Sequence, residues 1–86
     1  LKTEEILTRI INAWDPLALL AGGAPSNEYD IEIKVICKQV NAATNETQIA
    51  QIIYTTFREK TGIELNLLSC LKCAFIVVQE IKGNQQ

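Results

Sequence analysis

Cys70-Leu71-Lys72-Cys73 is the arrangement in this chain whose spacing is associated with metal or redox chemistry, and Asp15, Glu28, Asp30 and Glu32 form its one concentration of carboxylates. A Cys-x-x-Cys pair supplies two zinc ligands, or the two sulfurs of a thioredoxin-like centre. A structural zinc site wants four ligands, yet there is no second such pair and no histidine, and Cys37 supplies only a third. The redox reading wants the pair after a strand in a βαβ unit, whereas this one falls inside a helical pattern. The three cysteines are therefore expected to act as small core or interface hydrophobes. A metal or redox module built on Cys70 and Cys73 is the alternative.

The carboxylates do not converge. On a helix Asp30 and Glu32 point to different faces, and Lys34, four residues after Asp30, is placed to pair with it. Capping and helix-dipole roles account for them. The absence of histidine removes the commonest general base and the Ser-His and Cys-His nucleophile pairs. Gly22-Gly23 lacks the Lys-Ser/Thr and the preceding strand of a phosphate loop. No catalytic residue, metal site or cofactor is expected, and the chain reads as non-enzymatic.

Eighty-six residues, 48% of them hydrophobic, argue for one domain spanning 1–86 with one core. The net charge of -2 and scattered basic residues give no footprint for nucleic acid or an anionic membrane. No basic segment followed by an apolar run opens the chain, which begins at Leu1, and the odd cysteine number suits a reducing compartment. A cytoplasmic location is the expectation.

Four helical patterns must position whatever this chain presents. The first is expected over Glu4–Trp14, capped by Thr3, with Ile6, Leu7, Ile10, Ile11 and Trp14 on one face and Trp14 as a core anchor. Asp15-Pro16 then reads as an N-cap and first-turn pair for a short helical turn carrying Leu17, Leu19 and Leu20, which Gly22-Gly23 ends. Ser26 is placed to cap a second helix over 27–40. Its core face is Tyr29, Ile33, Ile36, Cys37 and Val40, while Ile31 and Val35 form a second stripe. The Leu17–Leu20 turn is expected to fold over that stripe, with a partner surface as the other reading.

Thr44 or Asn45 caps a third helix over Glu46–Lys60, Gln48 completing a capping box and Gly62 ending it. It is expected to bury Ile49, Ile52, Ile53 and Phe57, with Tyr54 at the edge. Asn45-Glu46-Thr47 matches the glycosylation sequon, a coincidence without a secretory signal. Asn66 caps a fourth helix ending near Lys82 and Gly83. At about 100 degrees per residue its apolar face centres on Leu67, Leu71, Ala74, Phe75, Val78 and Ile81, and Leu68, Cys70 and Val77 widen it beyond the stripe of an ordinary surface helix. Cys73 and Ile76 fall among or beside the polar residues. The run Ala74–Val78 also has strand propensity, but the stretch is long and lacks strict alternation, so helix is the expectation. It is too short and too interrupted by Lys72 and Gln79 to span a bilayer.

Trp14-Asp15-Pro16-Leu17, a Gly-Ala-Pro loop at 23–25, Glu28-Tyr29-Asp30-Ile31-Glu32-Ile33, a polar link and a last helix containing Cys70-Leu71 together resemble the YugE-like family, small helical bacterial proteins of unknown function. The resemblance covers most of the chain and implies a compact helical bundle and a bacterial cytoplasmic origin. It supplies no catalytic residues. Ala18 stands where the family pattern has glycine, and the fourth helix is more apolar than the pattern.

These readings define an all-α, four-helix bundle-like domain with a short extra helical turn between the first two helices. The expected function is that of a protein-interaction module, binding itself as a homodimer or another protein, with no nucleic acid and no membrane as partner. The expected interface is Cys73, Ile76 and Val77, with Ile31 and Val35 second. Trp14, Asp15, Pro16, Glu28, Tyr29 and Asp30 form a candidate partner notch, although packing and capping are the stronger reading for them.

Overall fold

The computed structural model describes residues 2–83. It contains four helices and, among the described residues, no strand: α1 Lys2–Trp14, α2 Asp30–Gln39, α3 Glu46–Thr61 and α4 Leu67–Gly83. Each helix packs on its two chain neighbours, and α4 closes the ring on α1, so that α1 faces α3 and α2 faces α4 only through the core. The most extensive of these contacts is between α3 and α4. One core results, with Leu7, Ile11, Ile33, Ile36, Ile49, Ile53, Phe57 and Val77 fully buried. Tyr29 and Phe57, its two largest members, meet edge to face with ring centroids 5.9 Å apart. That geometry suits the aromatic quadrupoles.

The helix ends show which local signals prevailed. Asn45 caps α3 through a full capping box: its side chain accepts from the Gln48 N–H at 2.8 Å, and Gln48 accepts from the Asn45 N–H at 2.9 Å. Gly62, at φ 75, ends α3 in the left-handed region, where a Cβ would be strained. Asn66 caps α4 by accepting from the Ser69 N–H at 3.0 Å. Ile52 is half-buried rather than buried, packed against the edge of the core like Tyr54.

Two starts differ from expectation. Thr3 lies inside α1, which begins at Lys2, so it is not the cap. Ser26 does not cap α2, which begins at Asp30; residues 26–29 form a turn held by Glu28 N–H to Pro25 O and Asp30 N–H to Asn27 O. The physical reason is tertiary. Asn12 of α1 donates to the Ser26 carbonyl at 3.1 Å, and Tyr29 is drawn into the core, which holds this segment in turns instead of a first helical turn.

The α1–α2 connection is a built structure. The Asp15 N–H closes α1 on Ile11 O at 2.7 Å, with Asp15 at φ 52, a left-handed conformation that aspartate tolerates better than most residues. The turn that follows ends in a Schellman arrangement: Ala24 N–H to Leu19 O, Gly23 N–H to Leu20 O, and Gly23 at φ 101. Leu17 and Leu20 pack against the core, while Leu19 is exposed. The turn does not cover the second stripe of α2 as expected: Ile31 is 65% exposed and Val35 half-buried. Leu17 and Leu20 instead go to the core, because Asp15 and Tyr29 anchor the turn there.

Ala18 is at φ 56, in the left-handed region without a side chain suited to it. A non-glycine residue there costs about 1–2 kcal/mol, and glycine returns part of that gain through the entropy of the unfolded chain. Ala18→Gly is therefore expected to stabilise the protein by up to about 1 kcal/mol, raising Tm by about 4–8 °C. Thermal unfolding followed by far-UV circular dichroism checks it; an unchanged or lower Tm would contradict the strain.

Candidate functional site

Two constellations were legible as candidates, and the structure treats them differently. In the first, the Asp15 carboxylate is occupied by its own loop: it accepts from the Leu20 N–H at 3.1 Å, the Ala21 N–H at 2.9 Å and the Tyr29 hydroxyl. Tyr29 Oη in turn accepts from the Leu17 and Leu19 N–H groups at 3.2 and 3.4 Å. The expected N-cap therefore does not form: Asp15, in the left-handed region at φ 52, accepts from Leu20 and Ala21 at the far end of the turn and not from the N–H groups directly after it. The Tyr29 hydroxyl first, and then the Ala21 and Leu20 N–H groups, hold the Asp15 carboxyl below the usual carboxylate range against the opposing effect of burial. Burial, and then the bond to Asp15, push the Tyr29 hydroxyl upward.

Of the other notch residues, Pro16 and Asp30 are half-buried, Glu28 is exposed on the turn, and Trp14 faces elsewhere. The expected Asp30–Lys34 pair is absent; Lys34 reaches across to Glu4 of α1 at 3.3 Å. This cluster is a clasp between the end of α1 and the start of α2. Within it the Asp15 carboxylate and the Tyr29 hydroxyl are spent on each other and on the Leu17, Leu19, Leu20 and Ala21 N–H groups.

The second constellation is α4. Cys73 is 4% exposed and Val77 is fully buried, so neither stands on a surface; Ile76, 47% exposed, does. The buried face of α4 centres on Cys70, Cys73, Ala74 and Val77, rotated from the expected centre, and leaves Leu67, Leu68, Phe75 and Ile76 exposed. The reason is packing: α4 is gripped from two sides by α3 and α1, and small side chains (Cys70, Cys73, Ala74) allow the closest approach, so they face inward while larger ones face out.

Between α1 and α4 runs a groove of about 510 Å³. Arg9, Ile10, Ala13 and Trp14 line its α1 wall, with Ser69, Lys72, Cys73 and Ile76 opposite. The α4 residues repeat at i, i+3, i+4 and i+7, one helical face, and the small side chains of Ala13 and Ser69 leave the room. Arg9 crosses to an ion pair with Glu80 of α4. Lys72 takes part in neither of the two ion pairs formed among the described residues. Spacing marked Trp14, Cys73 and Ile76 but not Arg9, Ala13, Ser69 and Lys72; that last set shares a wall only because α1 and α4 are neighbours. No family model, curated protein or solved structure matches this chain.

The cysteines lack the surroundings of a reactive pair. Burial pushes the Cys70 thiol up to about 11, and burial together with the charge of Cys70 pushes Cys73 up to about 12. Reactive thiols sit in partly exposed, electropositive places that favour the thiolate. Among the described residues no three His, Cys, Asp or Glu stand close enough to hold a metal ion. A thiol at about 11 in place of the ordinary 9.0 holds about a hundredfold less thiolate at pH 8. Iodoacetamide at that pH is therefore expected to label Cys37, which is half-buried, and to leave Cys70 and Cys73 until denaturant is added. Peptide mass mapping of the native reaction checks this; rapid labelling of the pair would revive a redox role.

No described helix is long and apolar enough to cross a membrane.

Proposed function

We propose that this protein is a non-enzymatic interaction module, acting in the bacterial cytoplasm, whose binding surface is the outward face of α4 together with the α1–α4 groove. One observation carries the reading: Leu67, Leu68, Phe75 and Ile76, on a single helix, are 47–62% exposed and adjoin a groove that the half-buried Trp14 lines. Clustered apolar exposure of this kind costs a free monomer solubility and marks surfaces that another molecule covers. The location draws its support from the three free cysteines, two of them buried. The YugE-like resemblance belongs to the same reading, and of the residues that carry it Asp15 and Tyr29 meet in the clasp.

The test is site-specific photocrosslinking in the source cell. Benzoylphenylalanine at Phe75 is expected to give a discrete protein adduct that the same group at Gln51, exposed on α3, does not give, and light scattering gives the mass of the purified protein. Equal labelling from both positions together with a monomeric mass would overturn the reading.

A further inference from the structure

The charge carried by the α4 face says what covers it. α4 holds two lysines, Lys72 and Lys82, against one glutamate, so the rest of the chain has six basic and nine acidic residues. That single glutamate, Glu80, is paired with Arg9 on the α1 side. The remaining outward face therefore presents Leu68, Phe75 and Ile76 interspersed with Lys72, Gln79 and Lys82, apolar and basic without a carboxylate, on a chain of net charge -2. A second copy docked through this face would set lysine-bearing surfaces against each other, because a two-fold interface uses the same patch twice. An acidic partner meets no such penalty. The groove has two helical walls, the α4 side chains repeating at i, i+3, i+4 and i+7, and an amphipathic helix is the element whose anchors fit a trough of that kind. The apolar surface also continues past the groove along α4, whose 17 residues extend about 25 Å, further than a small molecule would cover.

We infer that the α1–α4 groove and the outward face of α4 receive an acidic amphipathic helix from another protein, its apolar side chains seated against Trp14 and Ile76 and its carboxylates set against Lys72. This rests on the interaction reading above and names the chemistry of the partner.

Trp14, the sole tryptophan, lines the groove and reports its occupancy. The probe is an 18-residue leucine/glutamate amphipathic peptide, titrated against the full chain at low salt and followed by Trp14 emission. A saturable blue shift is expected, weakened several-fold on raising salt from 50 to 500 mM. Lys72→Glu, at an exposed position, should weaken binding about threefold to tenfold with an unchanged melting curve, and Lys72→Arg should retain it. A leucine/lysine peptide with the same apolar face that binds as tightly would overturn the charge assignment. So would a Trp14 shift produced by anionic phospholipid vesicles and not by the peptide, or a dimeric mass that Ile76→Glu reduces to monomer. Absence of any response to the acidic peptide also overturns it. In each case crosslinking at Phe75 separates the two failures: an adduct, or a dimeric mass, keeps the interaction module and discards the acidic helix, and no adduct with a monomeric mass discards both.

Discussion

Tyr29→Ala is expected to cost about 3–5 kcal/mol, the range for truncating a large buried aromatic. A domain of this length is stable by about 4–13 kcal/mol, so the variant should unfold at a much lower urea concentration, and at the low end of that range it is partly or wholly unfolded at 25 °C. Tyr29 is 1% exposed, packs edge to face on Phe57, and its hydroxyl joins Asp15 to the Leu17 and Leu19 N–H groups. Tyr29→Phe keeps the ring and removes the hydroxyl; it should cost about 1–2 kcal/mol, since the two N–H groups are only partly buried and water can reach them. Urea unfolding of both variants separates packing from hydrogen bonding.

The clasp also gives stability a pH dependence whose sign follows from the shifts. The folded pKa of Asp15 is below its ordinary 3.8, so its contribution is present above 3.8 and is lost as pH falls through the lower folded value. The folded pKa of Tyr29 is above its ordinary 10.0, so its contribution is present below 10.0 and is lost as pH rises through the raised value. Tyr29→Phe removes the largest cause of the Asp15 shift, and its stability should fall less steeply with acid than that of the wild type. Parallel acid limbs between pH 2 and 5 would contradict this.

Val77→Glu and Ile76→Glu, one residue apart, are expected to differ by several kcal/mol. Val77 is fully buried between the neighbours of α4, and a carboxylate there lacks partners; an uncompensated buried charge costs about 3–5 kcal/mol. Burial raises the pKa of such a carboxyl, so the variant should regain stability as pH falls from 7 toward 5, where the wild type changes little. Ile76 is 47% exposed at the groove, and glutamate there keeps its water. Ile76→Glu should fold within about 0.5 kcal/mol of the wild type and lose partner binding. Equal destabilisation by the two would mean that α4 is rotated from the orientation described.

How far the residues alone reach is clearest where a signal is local. The Asn45-Gln48 box, Gly62, Asn66 and the end of the Leu17–Leu20 turn at Gly23 were each legible, because a cap is satisfied within a few residues of itself. The fourfold helical pattern was legible for the same reason, since a 3.6-residue period is a property of one segment. Ser26 shows where such reasoning stops: its capping signal was sound, but Asn12 and the pull on Tyr29 came from elsewhere in the chain.

Composition and spacing by themselves determined an all-α chain of four helices and the absence of histidine-based chemistry. Only the tertiary structure decided which face of α4 is buried. Half or more of that helix's circumference is apolar, so its period does not favour one orientation, and the choice falls to the neighbours α1 and α3, which take the small side chains inward. The same decision buried Cys73 and Val77, left Ile76 and Phe75 outside, and placed Lys72 opposite Trp14 across a groove. A groove wall drawn from two helices more than fifty residues apart has no local signal; it exists only once packing has brought them together.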